Sequence, residues 1–277
     1  MKSKIVLDSA ADIKHLDGIE VESVPLKIIA GDTEFIDDAN LVPDDMVEFL
    51  KNYKGKVSSA CPGVGDFLDA FGDAENIYVI TITSGLSGSY NAACVAAETY
   101  KEQHPDRNIY VVVSLSAGPE RVLFAEKIRD LVVKEMEFDQ VVNSIEEYKK
   151  TTRLIFSLQS LHNFVNNGRV PAAAAKFVGL LNIRLLGRAS DAGKLQPTGK
   201  ARGDKKVVPE LMKSLKSLGY AGGKVRISHC HNPECAEELK CAISVMSPGA
   251  DIEIRPTCGL CSFYAEEGGL LVGFEIK

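Results

Sequence analysis

Two segments of the chain are rich in glycine and hydroxyl side chains, the residue types that can hold an oxyanion. One is SSACPG at residues 58–63, and the other is TSGLSGS at residues 83–89, between a predicted strand and a predicted helix. In open α/β sheets, ligands gather at the carboxyl ends of strands, where the first amides of the next helix can bind anions. The second segment therefore predicts an oxyanion site. A helix cap at Ser87 beside the turn glycines Gly85 and Gly88 would explain the same residues.

Neither segment has the pattern of a known catalytic loop. A nucleophile elbow requires Gly-x-Ser-x-Gly, whereas GLSGS at residues 85–89 ends on serine. The surroundings of the five histidines identify none of them as a base partner. The glycine-rich runs that bind nucleotide phosphates after a strand are also missing. We therefore expect no catalytic serine and no nucleotide bound by this chain.

The C-terminal region contains a cluster of cysteine and histidine residues. Cys258 and Cys261 have the spacing of a metal or redox pair, and further ligand types lie upstream at His229, Cys230, His231, Cys235 and Cys241. Zinc would require four such ligands, usually in two closely spaced pairs, and this region has one pair. A disulfide-exchange pair would open the helix of an early βαβ unit, whereas we expect a strand region here. Reduced thiols that pack as small apolar residues are the simplest interpretation.

Basic residues cluster in the second half of the chain, at residues 166–170, at Arg184 and Arg188, and at residues 199–206. Charge runs of this kind are usually solvated surface. In an acidic chain they could also form a surface for an acidic partner or for the phosphates that such a partner carries.

Composition and charge exclude several classes of protein. The 277 residues are 45% hydrophobic and 25% charged, which is typical of a folded globular protein. The net charge of -6 argues against nucleic-acid binding, which relies on excess Lys and Arg. No apolar stretch is long enough to span a bilayer or resembles a signal peptide, so we expect a cytoplasmic protein without stable membrane insertion.

The order of apolar runs predicts an α/β fold of two domains. Residues 1–150 alternate strands and helices, which implies a largely parallel sheet with helices on both faces. Residues 151–277 have a mixed order, which indicates an α+β domain. The predicted strands are 5–7, 21–26, 77–82, 109–113, 154–158, 183–186, 224–229, 251–255 and 270–276. The predicted helices are 43–53, 87–103, 120–134, 140–150, 172–181, 205–218 and 233–245.

Taken together, the order and spacing of these motifs make the chain resemble the DegV family of bacterial fatty-acid-binding proteins. The resemblance runs nearly end to end. Its motifs are DSAAD at 8–12, VPL at 24–26, SACPG at 59–63, SGLSGSY at 84–90, LHNFVNNGRV at 161–170, LNIR at 181–184 and the segment 193–206.

The resemblance implies one long-chain fatty acid buried between the two domains. Ser59 and Ser87 match the residues that hold the carboxylate, with support from the Gly88 amide, and Tyr264 stands where the family usually has a histidine. The family presents the acid to an ATP-dependent fatty acid kinase, which makes an acyl-phosphate for phospholipid synthesis. Arg169 and Arg202 would then dock the kinase.

On this interpretation the chain is a carrier and not an enzyme, with no metal or cofactor besides the bound fatty acid. Two alternatives remain at this point. One is a metal-dependent or thiol enzyme that uses the C-terminal Cys/His cluster, and the other is a carrier of a different hydrophobic acid.

Overall fold

The computed structural model describes residues 2–170 and 182–277. The helix predicted at 172–181 lies outside the described residues. Within them the strands form three sheets, four-, six- and three-stranded. The predicted α/β class is therefore confirmed. The predicted boundary near residue 150 falls on a short 3₁₀ turn at Lys149–Thr151, and the division into two domains stays a prediction.

The four-stranded sheet is parallel, as the sequence predicts for the N-terminal region. Its order is β2-β1-β6-β7, formed by Glu20–Val24, Ser3–Asp8, Asn76–Ile80 and Asn108–Val112. The central strands β1 and β6 contain the apolar runs 5–7 and 77–80, as expected of strands whose two faces are covered by helices. Their carboxyl ends therefore lie at one edge, where the loops that follow can meet a ligand.

Four helices cover the two faces of this sheet. On one face lie α2 (Val64–Phe71) and α3 (Ser89–Gln103), which bury Phe67, Phe71 and Tyr100 against the strands. On the other face lie α4 (Pro119–Val133) and α5 (Phe138–Tyr148). The predicted arrangement of helices on both faces is confirmed.

A small antiparallel sheet in the N-terminal region was not predicted. Its order is β4-β3-β5, formed by Thr33–Ile36, Lys27–Ala30 and Val57–Ala60, and helix α1 (Pro43–Asn52) lies between β4 and β5 in the chain. The predicted strand 21–26 ends early, at Val24. Strand β5 also includes the first three residues of the hydroxyl-rich segment 58–63. The expectation that this whole segment is a loop is therefore wrong.

The six-stranded sheet is mixed and belongs to the C-terminal region. Its order is β10-β9-β8-β13-β11-β12, formed by Leu195–Arg202, Ile183–Ala189, Thr152–Leu158, Leu270–Glu275, Lys224–His229 and Asp251–Pro256. Within the described residues, the helices of the C-terminal region are α6 (His162–Asn166), α7 (Val207–Ser217), α8 (Pro233–Met246) and α9 (Gly259–Ala265). The pairing is antiparallel except between β11 and β12, in agreement with the expected α+β character.

Helix α4 packs against both large sheets and so joins the two regions. The fully buried Arg121 donates to the Asp8 carboxylate, at 2.6 Å, and to the Ile80 carbonyl on the parallel sheet. On the other side the first turn of α4 lies directly over Gly273 of β13. A Cβ on Gly273 would lie 2.4 Å from the Glu120 backbone nitrogen, so only glycine allows this approach.

We predict that Gly273→Ala lowers the free energy of unfolding by about 2 kcal/mol, because the new methyl group must push the α4 backbone away from the sheet. Urea unfolding measures this change. Gly65→Ala on α2 is the matched control, since a Cβ there meets nothing within 4 Å and alanine favours the helix. Equal denaturation midpoints for Gly273→Ala and the wild type would contradict the packing described.

Candidate functional site

A narrow apolar cavity lies between the two regions and draws side chains from both. The space between its walls, including the opening, is about 850 Å³. Most of the walls belong to one continuous hydrophobic cluster. The apolar residues that line the cavity are Leu26, Ile82, Leu86, Leu115, Ala117, Leu154, Phe156, Leu158, Phe164, Ala189, Leu195, Leu260, Cys261, Ala265 and Leu271.

Helix α9 forms one wall of the cavity, and two carboxylates from the N-terminal region hold its first turn. Asp37 accepts the amides of Gly259 and Leu260 at 2.7 and 2.9 Å, and Asp12 accepts the Cys258 amide at 2.8 Å. These amides have no partner within the helix, so the carboxylates accept their hydrogen bonds. The negative charge of the carboxylates also stabilises the positive end of the helix dipole. The start of α9 is therefore fixed to the N-terminal region.

Both carboxyl groups are buried, which raises their pKa. The pKa of Asp12 rises to about 7, although the Cys258 amide, the Cys261 thiol and the Ser228 hydroxyl stabilise the ionised form. The pKa of Asp37 is raised in the same direction, against the stabilising amides of Leu260 and Gly259. Asp12 therefore changes its protonation state close to neutral pH.

Near its other end, α9 brings Tyr264 to Ser59 of strand β5. The Tyr264 hydroxyl and the Ser59 Oγ are 2.7 Å apart, and both residues line the cavity. The Phe164 ring packs on Tyr264 with 4.7 Å between centroids. Burial raises the pKa of Tyr264, so its hydroxyl remains protonated and can donate to an anion. Two of the predicted ligand residues are thus brought together.

Arg169 lies in the wall beside this hydroxyl pair. Its Nε donates to the Leu86 carbonyl at 3.2 Å, and its positive charge lowers the pKa of Tyr264 against the effect of burial. The segment that carries it is held by Asn163, which donates to the Phe263 carbonyl, and by Asn167, which donates to the Val57 carbonyl. A residue predicted to dock a partner therefore also contributes a cation to the cavity.

The second hydroxyl-rich segment follows β6 and precedes α3, as predicted. Ser87 lines the cavity, and its Oγ accepts the Ser89 amide at 3.2 Å within the turn. No side-chain hydrogen bond caps α3, so the alternative of a helix cap at Ser87 is wrong. Gly88 is exposed and lies just before the first residue of α3. A Cβ on Gly88 would lie 3.0 Å from the Cys61 Sγ, which brings the two hydroxyl-rich segments side by side.

Arg202 is not among the residues that line the cavity. It ends strand β10 opposite Ile183, and its side chain is exposed. Lys194 from the turn between β9 and β10 lines the cavity instead. The basic residues of this region therefore divide between a cavity wall and the outer surface.

The C-terminal cysteines are placed differently from the expectation. Cys258 and Cys261 do open a helix, α9, where the sequence interpretation expected a strand region. Burial and then the neighbouring carboxylates of Asp12 and Asp37 raise the pKa of Cys258 to about 12, and the pKa of Cys261 is also well above its usual value. Both therefore remain thiols, whereas metal binding and disulfide exchange use thiolates.

The upstream members of this cluster do not complete a metal site in the part of the chain that the structure describes. No group of three or more potential ligands with suitable positions occurs in residues 2–170 and 182–277. Burial also raises the pKa of Cys235, to about 11, and lowers the pKa of His229.

Several residues of the site were not singled out from the sequence for this role. Ser116 and Lys194 line the cavity, and Asp12 and Asp37 hold α9. Asp12 lies in the DSAAD motif, which indicates a functional position. The motif does not reveal its partner, because the Cys258 amide is 246 residues away in the chain. Asp37 has no comparable signal in its surroundings.

Comparison with known proteins decides the family. The sequence profile of the DegV family, described as one of uncharacterised proteins, matches residues 2–277. A DegV domain-containing protein of Streptococcus pneumoniae is 45% identical over the full length of both chains. The chain belongs to the DegV family. The family that the motifs indicated is therefore confirmed over residues 2–277.

Solved structures of DegV proteins match this fold closely. The fatty acid kinase (Fak) B3 protein of S. pneumoniae, loaded with linoleic acid, is 45% identical with a TM-score of 0.98, and the match covers 100% of each chain. A DegV protein of Eubacterium eligens, loaded with heptadecanoic acid, is 40% identical with a TM-score of 0.97, covering 99% of this chain and 100% of that one.

None of the helices within residues 2–170 and 182–277 combines the length and apolar character that crossing a bilayer requires.

We predict that the buried Asp12 makes stability depend on pH. Between about pH 4 and pH 7 the folded state retains a proton that the unfolded state has lost, so the contribution of Asp12 to the unfolding free energy falls as pH rises. Asn in place of Asp12 suits the left-handed backbone, φ 58°, and cannot titrate. Between pH 5 and pH 8 the free energy of unfolding of the wild type should therefore fall by on the order of 2 kcal/mol relative to that of Asp12→Asn.

Urea unfolding of both proteins at the two pH values measures this difference. Both proteins contain the other buried carboxyl groups whose pKa is raised, including Asp37 and Glu120. Their contribution to the pH dependence therefore cancels when the two proteins are compared. A difference between the two proteins that does not change with pH would show that Asp12 is ionised throughout.

Proposed function

We propose that this chain binds one long-chain fatty acid, with the acyl chain in the apolar cavity and the carboxylate at the Ser59–Tyr264 hydroxyl pair. The observation that carries the proposal is this combination of a narrow apolar cavity with a hydroxyl pair and a nearby guanidinium. The two DegV structures compared above hold a C17 or a C18 fatty acid, and their folds superimpose on this one almost completely.

Burial of the acyl chain supplies most of the binding free energy. A chain of roughly fourteen methylenes at about 0.8 kcal/mol each releases on the order of 11 kcal/mol before the costs of ordering and desolvation. The aliphatic and aromatic side chains of the walls match this requirement. Because this gain exceeds those costs, we expect the ligand to be released slowly.

The carboxylate determines the orientation of the ligand. Ser59 and Tyr264 each carry one hydroxyl proton and can both donate to the anion once their mutual hydrogen bond is exchanged for the ligand. Arg169 adds a positive charge, and Ser87 with the Gly88 amide completes the proposed set. Tyr264 then replaces the histidine that the family usually carries.

The carrier would present this carboxylate to a partner fatty acid kinase that makes an acyl-phosphate for phospholipid synthesis. The name of the S. pneumoniae relative, a fatty acid kinase B3 protein, supports this role. Arg169 beside the cavity and the exposed Arg202 are the proposed docking residues. On this proposal the chain has no catalytic residue, metal or cofactor of its own, and an ATP-using partner places it in the cytoplasm.

The enzyme alternative conflicts with the chemistry of the C-terminal cluster. A thiol nucleophile or a zinc ligand must be ionised, and the carboxylates beside Cys258 and Cys261 oppose ionisation. The raised pKa values suit the simplest interpretation, in which these cysteines pack as small apolar residues.

We predict that Ser59→Ala and Tyr264→Phe each weaken fatty-acid binding about tenfold without unfolding the protein, because each removes one hydrogen bond to a charged group. Titration calorimetry of the delipidated protein with a C18 fatty acid measures the affinity. The double variant should lose less than the product of the single effects, since both hydroxyls belong to one hydrogen-bonded pair.

Two controls make this experiment specific. Ser58→Ala changes the preceding residue of β5, which does not line the cavity, and should bind as the wild type does. The methyl ester of the same acid lacks the negative charge, so the variants should affect its binding much less. Unchanged affinity of both single variants for the free acid would place the carboxylate elsewhere. Tight binding of the ester alone would indicate another kind of hydrophobic ligand.

A further inference from the structure

Leu115 has an unusual combination of properties for an apolar residue. It lies in the loop between β7 and α4, the residue is 37% exposed, and it also lines the cavity. Its backbone has φ 50°, in the left-handed region that a leucine rarely adopts. Neither the hydrophobic core nor a turn preference explains a leucine at this position.

The surrounding loop maintains this conformation from both sides. The Ser114 hydroxyl donates to the Thr81 carbonyl at 2.8 Å, and the Thr83 amide donates to the Ser116 carbonyl at 2.9 Å. The Leu115 backbone is therefore fixed between two anchored serines. Backbone strain that is held in this way is concentrated at ligand sites in proteins.

Among the residues that the structure describes, Leu115 lies where the cavity reaches the surface. Cys61 and Lys194 also combine an exposed side chain with a place in the cavity wall. The turn that carries Lys194 packs directly on this loop, because a Cβ on Gly193 would lie 3.1 Å from the Leu115 Cα. The backbone of Leu115 is thus covered by this turn, while its isobutyl group is shared between the cavity and solvent.

We propose that Leu115 is a retention residue, whose side chain covers the acyl chain where the cavity opens and so slows release of the ligand. The inference rests on the proposed binding of a fatty acid. A bound acyl chain would bury the exposed part of the leucine, so ligand and side chain remove apolar surface from water together. The strained backbone is what directs the side chain to the opening.

Release kinetics test this role. Wild type, Leu115→Ala and Leu115→Gly are loaded with a C18 fatty acid, and transfer to an excess of serum albumin is followed by stopped flow. Loss of the leucine side chain should accelerate release about tenfold in both variants. Val113→Ala is the matched control, because Val113 is 38% exposed, lies two residues away and does not line the cavity. It should release the acid at the wild-type rate.

Thermal unfolding of the ligand-free proteins separates retention from a purely structural role. Glycine adopts a positive φ without strain, so Leu115→Gly should unfold at the wild-type temperature or above it while releasing the ligand faster. A structural role would instead lower the unfolding temperature of this variant. Wild-type release rates in both leucine variants would overturn the proposal. A wild-type protein that takes up no fatty acid would refute the proposed function itself, before any variant is compared.

Discussion

The attachment of helix α9 to two buried carboxylates is the constraint on which the site depends. Asp37 and Asp12 belong to the N-terminal region, and they accept the first amides of a helix from the far end of the chain. The contact is so close that a Cβ on Gly259 would lie 2.7 Å from an Asp37 oxygen. Because α9 carries part of the cavity wall and Tyr264, fixing its first turn determines both the shape of the cavity and the position of its hydroxyl donor.

The same carboxylates affect the chemistry of the cysteines. An arrangement of Cys-x-x-Cys at the start of a helix would ordinarily favour thiolates, since the helix dipole lowers the pKa of the thiol. Here burial, and then the negative charge of the carboxylates that satisfy the helix amides, raise the pKa of Cys258 to about 12. A pattern that resembles a redox motif is thereby made chemically inert and serves as packing. The polar groups left for the proposed ligand are the Ser59–Tyr264 hydroxyl pair and the guanidinium of Arg169.

The sequence predicts those parts of the structure that depend on residues close together in the chain, and it misses those that depend on residues far apart. The parallel strands β1 and β6 are predicted well because their apolar runs, 5–7 and 77–80, are buried on both faces. Strands β3, β4 and β5 are missed because each has four residues, too few for a periodic pattern. Motif comparison predicts Ser59 and Tyr264 as ligand residues, but their contact across 205 residues depends on the packing of α9. The contacts of Asp37 and the backbone conformation at Leu115 depend on groups distant in the chain, which leave no local signal.

The central claim, that this cavity holds a long-chain fatty acid, is tested most directly by mass spectrometry of the gently purified protein, first in its native state and then after organic extraction. The account predicts one fatty acid of about C14–C18 per chain, the range that corresponds to roughly fourteen methylenes. A protein that carries zinc or a different hydrophobic acid, or that stays without a ligand after incubation with fatty acid, would contradict it.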